Sequence, residues 1–301
     1  MTTTRDGPVL ARATDPALPG LASVPGDGVR VLAHKPGRRM TLAVPDGDRT
    51  RVLKLFSVAE FGPALAVTRL AARHGGLAPA LLAVDEGGRL LELEHVDGDD
   101  LGSVAGSRRR TALGRLATAL AGVHATPSPQ LPAWDPGHGT RKLRRALDAA
   151  VDAPVSTSSA AGCSGPLPAD VLRAVRRAAA VLAVRAGRPH RPVAVHGDTS
   201  LRNVLVRPDG VVRLLDWDRS ALGPAEADLA PLVGLLGADA DPVLDAYRAA
   251  GGAVDAEVLA DLVAANRLTR ALRRFAAGRD DAATVSAALR RSVEDVLDAG
   301  A

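Results

Sequence analysis

The chain has 301 residues, of which 47% are hydrophobic and 24% charged, with 38 basic and 34 acidic side chains. This length predicts one large domain or two small ones, and the composition excludes a wholly disordered chain. No apolar run approaches the roughly 18 residues that span a bilayer, and the opening MTTTRDGPVL lacks the apolar segment of a signal peptide. We therefore expect a soluble cytoplasmic protein without a membrane partner.

Cysteine and aromatic content narrow the function further. The one cysteine, Cys163, excludes an internal disulfide and a cysteine-based zinc site. The formal net charge is only +4, the charges are interspersed, and three Phe, two Trp and one Tyr leave little ring surface for base stacking. We expect no nucleic-acid partner.

The first third of the chain is predicted to be a small β-rich region. Residues 1–28 are rich in Gly, Pro and Thr and predict a flexible arm. A helix is predicted over residues 61–76, where a proline lies near the start and two glycines close the run. Short apolar runs separated by turn residues predict strands at 29–34, 38–44, 51–56, 79–84 and 89–96. We assign residues 29–97 to this region.

The remainder, residues 98–301, is predicted to be larger and mainly helical. Apolar residues spaced three and four apart predict helices at 108–125, 139–151, 169–187 and, in several segments, 225–299. The low-complexity stretch 152–168 predicts a mobile surface loop. Three short apolar strands are predicted inside this region, at 192–195, 203–206 and 211–215. The sequence therefore predicts an α+β protein.

The densest group of polar residues is HGDTSLRNVLVRPDGVVRLLDWD, at 196–218. Its apolar strands end on His196, Asp198, Asn203, Asp216 and Asp218. The Pro-Asp-Gly turn returns the chain, which brings an amide and two or three carboxylates to the same end of a hairpin. Such hard oxygen ligands suit Mg²⁺, and a carboxylate not used for the metal can accept a hydroxyl proton.

A cation that completes this set is found earlier in the chain. Lys54 lies near the end of the third predicted strand and is one of three lysines in a chain with 35 arginines. A rare, compact charge at such a place suits a phosphate group. A base, metal ligands and a phosphate-binding cation are together the components of phosphoryl transfer.

The spacing HGD-x4-N followed by LLDWD resembles the aminoglycoside phosphotransferase family, a branch of the protein-kinase-like fold that phosphorylates small molecules. The resemblance runs from about Val29 to Arg291 and includes HKPGRRMTLAV, VLKLF, LELEHVDGDDL and GPAEADLA. It implies a two-lobed fold, with a small β-rich N-lobe and a larger, mainly helical C-lobe.

The resemblance also implies roles for individual residues. Asp198 would be the catalytic base, Asn203 and Asp216 would hold Mg²⁺, and Lys54 would contact the α- and β-phosphates. His196 would orient the catalytic loop, Asp228 would brace the site, and Asp218 has no settled role. The backbone near Glu94 and Val96 would hold the adenine ring of the nucleotide.

Three departures from the family pattern leave details open. The phosphate-covering segment contains only Gly37, so backbone amides and Arg38 or Arg39 would bind phosphate there. Glu60, six residues after Lys54, is the nearest candidate for the carboxylate partner of that lysine. The metal loop reads DWD, where protein kinases have DFG.

The leading hypothesis is therefore an ATP-dependent O-phosphotransferase that uses Mg²⁺, with GTP not excluded. The acceptor would be a small hydroxylated molecule. From Glu226 onward the chain has 13 acidic and 8 basic residues, which suits a cationic acceptor such as an aminoglycoside, another basic antibiotic or an amino sugar. Resistance, biosynthesis and metabolism all remain compatible roles, and the sequence leaves the oligomeric state open.

Two other functions compete with this hypothesis. A pseudokinase, suggested by the missing glycines, would bind nucleotide without turnover. A metal-dependent hydrolase built on Asp198, Asp216, Asp218 and His196 would act without ATP, but it leaves Lys54 without a role.

Overall fold

A computed structural model describes residues 15–24, 28–153 and 165–298. The chain forms two compact units. The first contains the described residues up to Ala119, together with Ser128–Leu131 and His196–Ser220. The second contains the others. The domain boundary expected at residue 97 stays a prediction, and no helix in the described ranges is long and apolar enough to cross a membrane.

A five-stranded antiparallel sheet dominates the first unit. Its strands are β1 (Arg30–Lys35), β2 (Arg39–Asp46), β3 (Arg49–Phe56), β4 (Leu81–Asp85) and β5 (Leu90–Glu94). They lie in the order β1-β2-β3-β5-β4, and helix α1 (Val58–Ala72) connects β3 to β4. In β2 and β3 Thr41 pairs with Lys54 and Met40 with Leu55, so alternate side chains face opposite sides of the sheet.

One face of this sheet is covered by residues of the stretch predicted to be a flexible arm. Leu18 and Leu21, which flank the start of a short 3₁₀ helix at Pro19–Ser23, are buried with Met40 and Leu42. Burial of these apolar side chains provides a hydrophobic reason for residues 15–24 to stay against the sheet. The rest of the predicted arm, apart from residue 28, lies outside the described residues.

A second, three-stranded sheet in the first unit carries the polar motif. It consists of β6 (Asp99–Asp100), β8 (Val204–Val206) and β9 (Val212–Leu214), in the order β6-β8-β9. Val204 pairs with Leu214, and the amide of Leu215 donates to the carbonyl of Asn203 at 2.7 Å. The predicted hairpin is confirmed, and it places Asn203 beside the end of β9.

The second unit is mainly helical. Helix α2 (Gly106–Ala125) begins in the first unit and ends in the second. The further helices are α3 (Gly137–Val151), α4 (Ala169–Arg185), α5 (Glu226–Leu236), α6 (Asp241–Ala249), α7 (Ala256–Ala276) and α8 (Ala282–Asp298). Strands β7 (Val193–Val195) and β10 (Ala221–Gly223) pair with each other. Leu143, Val175, Leu268 and Leu289 are buried where α3, α4, α7 and α8 pack.

The α+β prediction and the predicted order of strands and helices are confirmed. The differences are local. The first predicted helix begins earlier, at Val58, and the fifth strand ends at Glu94 instead of continuing to Val96. Strands β6 and β10 were not predicted, because two or three residues carry no readable period. Residues 154–164 of the predicted mobile loop lie outside the described residues.

Candidate active site

A cavity of about 790 Å³ lies within the first unit. One wall is formed by Thr41, Val52 and Lys54, on the face of the five-stranded sheet that points away from Leu18. Another wall is formed by Asn203 and Asp216 of the β8–β9 hairpin. This volume is in the range of pockets that bind small molecules and cofactors.

Lys54 is the central cation of this cavity. Its Nζ donates to Oδ1 of Asp216 at 3.1 Å and to Oδ1 of Asp218 at 2.9 Å. Only 12% of its side chain is exposed. Burial alone would lower the pKa of Lys54, but the carboxylates of Asp218 and Asp216 outweigh that effect and raise it above the ordinary value. The ammonium group is therefore charged and fixed in position.

Asp216 follows β9 in a left-handed backbone conformation, with φ of 62°. Burial of the carboxyl would raise its pKa, but the charge and hydrogen bond of Lys54 lower it to about 2. Asp216 is consequently ionised at any physiological pH, as a ligand for a divalent cation must be.

Asp218 has a clear structural role that the sequence did not assign. Its Oδ1 accepts from Lys54, and its Oδ2 accepts from Arg39 of β2. The side chain is only 10% exposed. These partners lie 164 and 179 positions away in the chain, so local spacing contains no signal for either contact.

His196 organises the loop that carries the predicted base. Its ring is fully buried, Nε2 donates to the carbonyl of Leu215 at 2.9 Å, and Nδ1 accepts from the amide of Asp198 at 3.2 Å. Asn203 adds a second link, because its Nδ2 donates to the carbonyl of Asp198 at 2.9 Å. The loop backbone around Asp198 is thereby held from both sides.

The glycine between these residues is required by geometry. Gly197 has φ of 80°, and a Cβ at this position would collide with the carbonyl oxygen of Arg219. Arg219 also approaches the carboxylate of Asp198, with Nε 3.8 Å from Oδ2. The Asp198 side chain is 27% exposed, so a ligand in solution has access to it.

The segment after β5 forms another wall of the cavity, with Glu94, His95 and Val96 among the lining residues. The Glu94 carboxylate accepts from Arg213 of β9 and from the amide of Ala80 at 3.0 Å. The Glu94 amide also donates to the Ala80 carbonyl at 2.9 Å, so both the side chain and the amide of this residue join neighbouring segments. The role of this segment in holding adenine stays a prediction.

The turn that contains Gly37 connects β1 and β2. Gly37 has φ of 71°, and its amide donates to Oδ2 of Asp15 at 2.9 Å. Arg38 donates to Oε1 of Glu60. In this structure Glu60 thus contacts Arg38, and the carboxylates next to Lys54 are those of Asp216 and Asp218.

Asp228 belongs to the second unit. It is fully buried, and His124 Nε2 lies 3.1 Å from its Oδ2. His124 Nδ1 lies 2.7 Å from the hydroxyl of Tyr247. Because a carboxylate only accepts, Nε2 donates to Asp228 and Nδ1 accepts from Tyr247.

The cavity offers few side-chain donors to a metal ion. Within the ranges that the structure describes, no group of three or more His, Cys, Asp or Glu side chains is arranged to hold one. Asn203 and Asp216 nevertheless both face the cavity and offer an amide and a carboxylate oxygen. This small set fits Mg²⁺, which binds through one or two carboxylates together with water and substrate phosphates.

Comparison with known proteins defines the class. Residues 37–284 match the sequence model of the phosphotransferase enzyme family, designated APH. The chain therefore belongs to this family, and the predictions of a small-molecule kinase and a protein-kinase-like fold are confirmed. No curated protein sequence matches the chain significantly.

Solved structures agree with this fold. A choline/ethanolamine kinase family protein from Mesorhizobium loti is 18% identical, with TM-score 0.58 and 96% of each chain covered. A macrolide 2'-phosphotransferase from Brachybacterium faecium is 18% identical, with TM-score 0.56 and coverage of 93% and 98% of this chain and that one. A spectinomycin phosphotransferase in complex with ADP and spectinomycin is 14% identical, with TM-score 0.56 and coverage of 89% and 92%.

Proposed function

We propose that this protein transfers the γ-phosphoryl group of ATP to a hydroxyl group of a small molecule. The observation that carries the proposal is the position of Lys54, buried between Asp216 and Asp218 in the wall of the cavity that Asn203 also lines. The spectinomycin phosphotransferase of similar fold, solved with ADP and its antibiotic, supports a nucleotide as the donor.

Each polar group then has a task. Lys54 binds the phosphates of the nucleotide, and the backbone from Glu94 to Val96 holds its adenine ring. Asp198 accepts the proton of the acceptor hydroxyl, while Asn203 keeps the Asp198 backbone in place. Asn203 and Asp216 would hold Mg²⁺, which neutralises charge on the transferring phosphoryl group.

The acceptor is proposed from charge. The 13 acidic and 8 basic residues from Glu226 onward favour a cationic molecule, such as an aminoglycoside or another basic antibiotic or amino sugar. The family relationship and the similar structures of kinases for spectinomycin, macrolides and choline are consistent with a small hydroxylated acceptor.

The test is an incubation with Mg-ATP and a panel of aminoglycosides, other basic antibiotics, amino sugars and nucleosides. We expect ADP release and one product heavier by about 80 Da, the mass of one transferred phosphoryl group. If the protein binds nucleotide but neither phosphorylates an acceptor nor hydrolyses ATP, the result would favour the pseudokinase. Conversion of a substrate without ATP would favour the hydrolase.

A pair of variants tests the proposed base. Asp198→Asn keeps the shape but removes the proton acceptor, so we expect turnover to fall by about 10²–10⁴-fold while nucleotide still binds. Asp209→Asn is the matched control, because Asp209 lies in the turn of the same hairpin and bonds only the nearby Val211 amide and Arg207 among its described contacts. Equal turnover in the two variants would remove Asp198 from the chemistry.

A further inference from the structure

The turn between β1 and β2 is held by hydrogen bonds from residues distant in the chain. This turn, residues 36–38, is closed by the Arg38 amide, which donates to the Lys35 carbonyl at 3.0 Å. The carbonyl of Arg38 accepts from the Ser57 amide at 2.7 Å, and its guanidinium donates to Glu60. Gly37 donates to Asp15 at 2.9 Å. A turn with one glycine is thus restrained by two other segments of the chain, one at Asp15 and one at Ser57 and Glu60.

Asp15 lies outside the family match, which begins at residue 37, and 22 positions before Gly37 in the chain. Its Oδ2 accepts from Gly37 and from His34 Nε2 at 3.1 Å, and its Oδ1 accepts from the Ala17 amide at 3.1 Å. The Gly37 amide and the His34 ring lower the pKa of the Asp15 carboxyl. Its side chain is only 9% exposed, although it belongs to the opening stretch of the chain.

The backbone that carries Asp15 is fixed by the burial of a neighbouring side chain. Leu18, three residues later, is buried against Met40 and Leu42 on the face of the sheet that turns away from the cavity. Arg39 and Lys35, on either side of the turn, both line the cavity. The segment that carries Asp15 therefore holds the turn from behind, while the flanking cations face the space where phosphate would bind.

We propose that Asp15 is a positioning residue for the phosphate groups of the nucleotide, acting through the Gly37 amide on the turn that presents Lys35 and Arg39. This inference rests on the proposed function. A preformed turn binds its ligand without first losing conformational freedom, which raises affinity without adding a contact. The turn held by Asp15 would take the place of the glycine-rich loop with which protein kinases cover phosphates.

The experiment separates phosphate from base binding. Affinities for Mg-ATP and for adenosine are measured by calorimetry in the wild type, Asp15→Ala and Asp15→Ser. We expect both variants to bind Mg-ATP roughly 5- to 30-fold more weakly, equivalent to reordering about one residue of backbone on binding. Adenosine affinity should stay unchanged, because it has no phosphate.

Asp15→Ser distinguishes loss of the Gly37 contact from loss of the local fold. Serine can still accept from the Ala17 amide in a local turn but is too short to reach Gly37. Asp15→Asn, which keeps an acceptor oxygen at full length, should restore most of the Mg-ATP affinity. Asp46→Asn is the matched control, because Asp46 lies in the neighbouring β2–β3 hairpin with an exposed ion pair to Arg51.

The outcomes are distinct. Unchanged Mg-ATP affinity in Asp15→Ser, or an equal loss for ATP and adenosine, would overturn the role of Asp15 and leave the proposed function intact. A wild-type protein that binds adenosine and Mg-ATP equally weakly, without phosphoryl transfer, would instead contradict the proposed function.

Discussion

At the scale of single residues, Asp218 accepts hydrogen bonds from two cations in the wall of the cavity, Lys54 and Arg39. Lys54 and Arg39 both lose much of their exposure beside this carboxylate. The substitution Asp218→Asn would remove one of the negative charges that compensate the burial of these two cations, although Asp216 would still pair with Lys54. We expect the free energy of unfolding to fall by about 1–3 kcal/mol. Urea denaturation measures the change.

The control for Asp218 is again Asp46→Asn. Its ion pair with Arg51 is exposed, and such pairs contribute about 0–1 kcal/mol. If the two variants lose the same stability, Asp218 does not hold the cations in place. A loss confined to Asp218→Asn would support a structural role for the second aspartate of DWD in the absence of any metal.

Tyr247 offers a prediction about pH. It is the only tyrosine in the chain, so phenolate absorbance reports this residue alone. Burial, with Glu226 and Asp228 nearby, raises the pKa of Tyr247 to about 12 from an ordinary value near 10. The unfolded chain therefore releases the phenolic proton first as the pH rises. Stability from the neutral phenol is complete below pH 10 and is lost on passing through about pH 12.

The measurement for Tyr247 is a spectrophotometric titration of the folded and the urea-unfolded chain. We expect the folded midpoint to lie well above the unfolded one, and the free energy of unfolding to decline from pH 10 upward. Tyr247→Phe should lack both the absorbance change and this part of the decline. A folded midpoint near 10 would contradict the effect of burial and of the nearby Glu226 and Asp228 on this phenol.

At the scale of elements, the sequence predicted what depends on neighbours in the chain. The Pro-Asp-Gly turn predicted that Asn203 and the end of β9 meet, and Val204 does pair with Leu214. Contacts between distant segments were not predicted. Arg39 with Asp218 and Asp15 with Gly37 join residues whose spacing has no period, and only the folded sheet brings them together.

The same distinction applies to the ends of elements. Strand β5 was expected to continue to Val96, but it ends at Glu94, whose carboxylate bonds Arg213 and the Ala80 amide. Apolar alternation detects a strand but not the side-chain bonds at its end. At the candidate site, the residue types and their hairpin were therefore predictable, while the partners of Lys54 required the structure.

At the scale of the whole molecule, the first compact unit is assembled from segments far apart in sequence. Residues 196–220 belong to it, although about 100 residues separate them from the sheet strands. They supply β8, which pairs with β6, and β9, whose Arg213 reaches Glu94. The N-terminal segment is thus incomplete by itself.

A fragment ending at residue 131 tests this assembly. It retains the five-stranded sheet and Lys54 but lacks Asp216, Asp218 and the strand partner of β6. Lys54 and Arg39 would then be left without the two carboxylates that compensate their burial, which is a large cost for charged groups. We expect the fragment to show no cooperative unfolding and no stabilisation by Mg-ATP, while the full chain gains about 2.7 kcal/mol at 100 times the dissociation constant. Cooperative melting of the fragment, with a nucleotide-dependent shift, would show that residues 196–220 are dispensable for folding and for nucleotide binding.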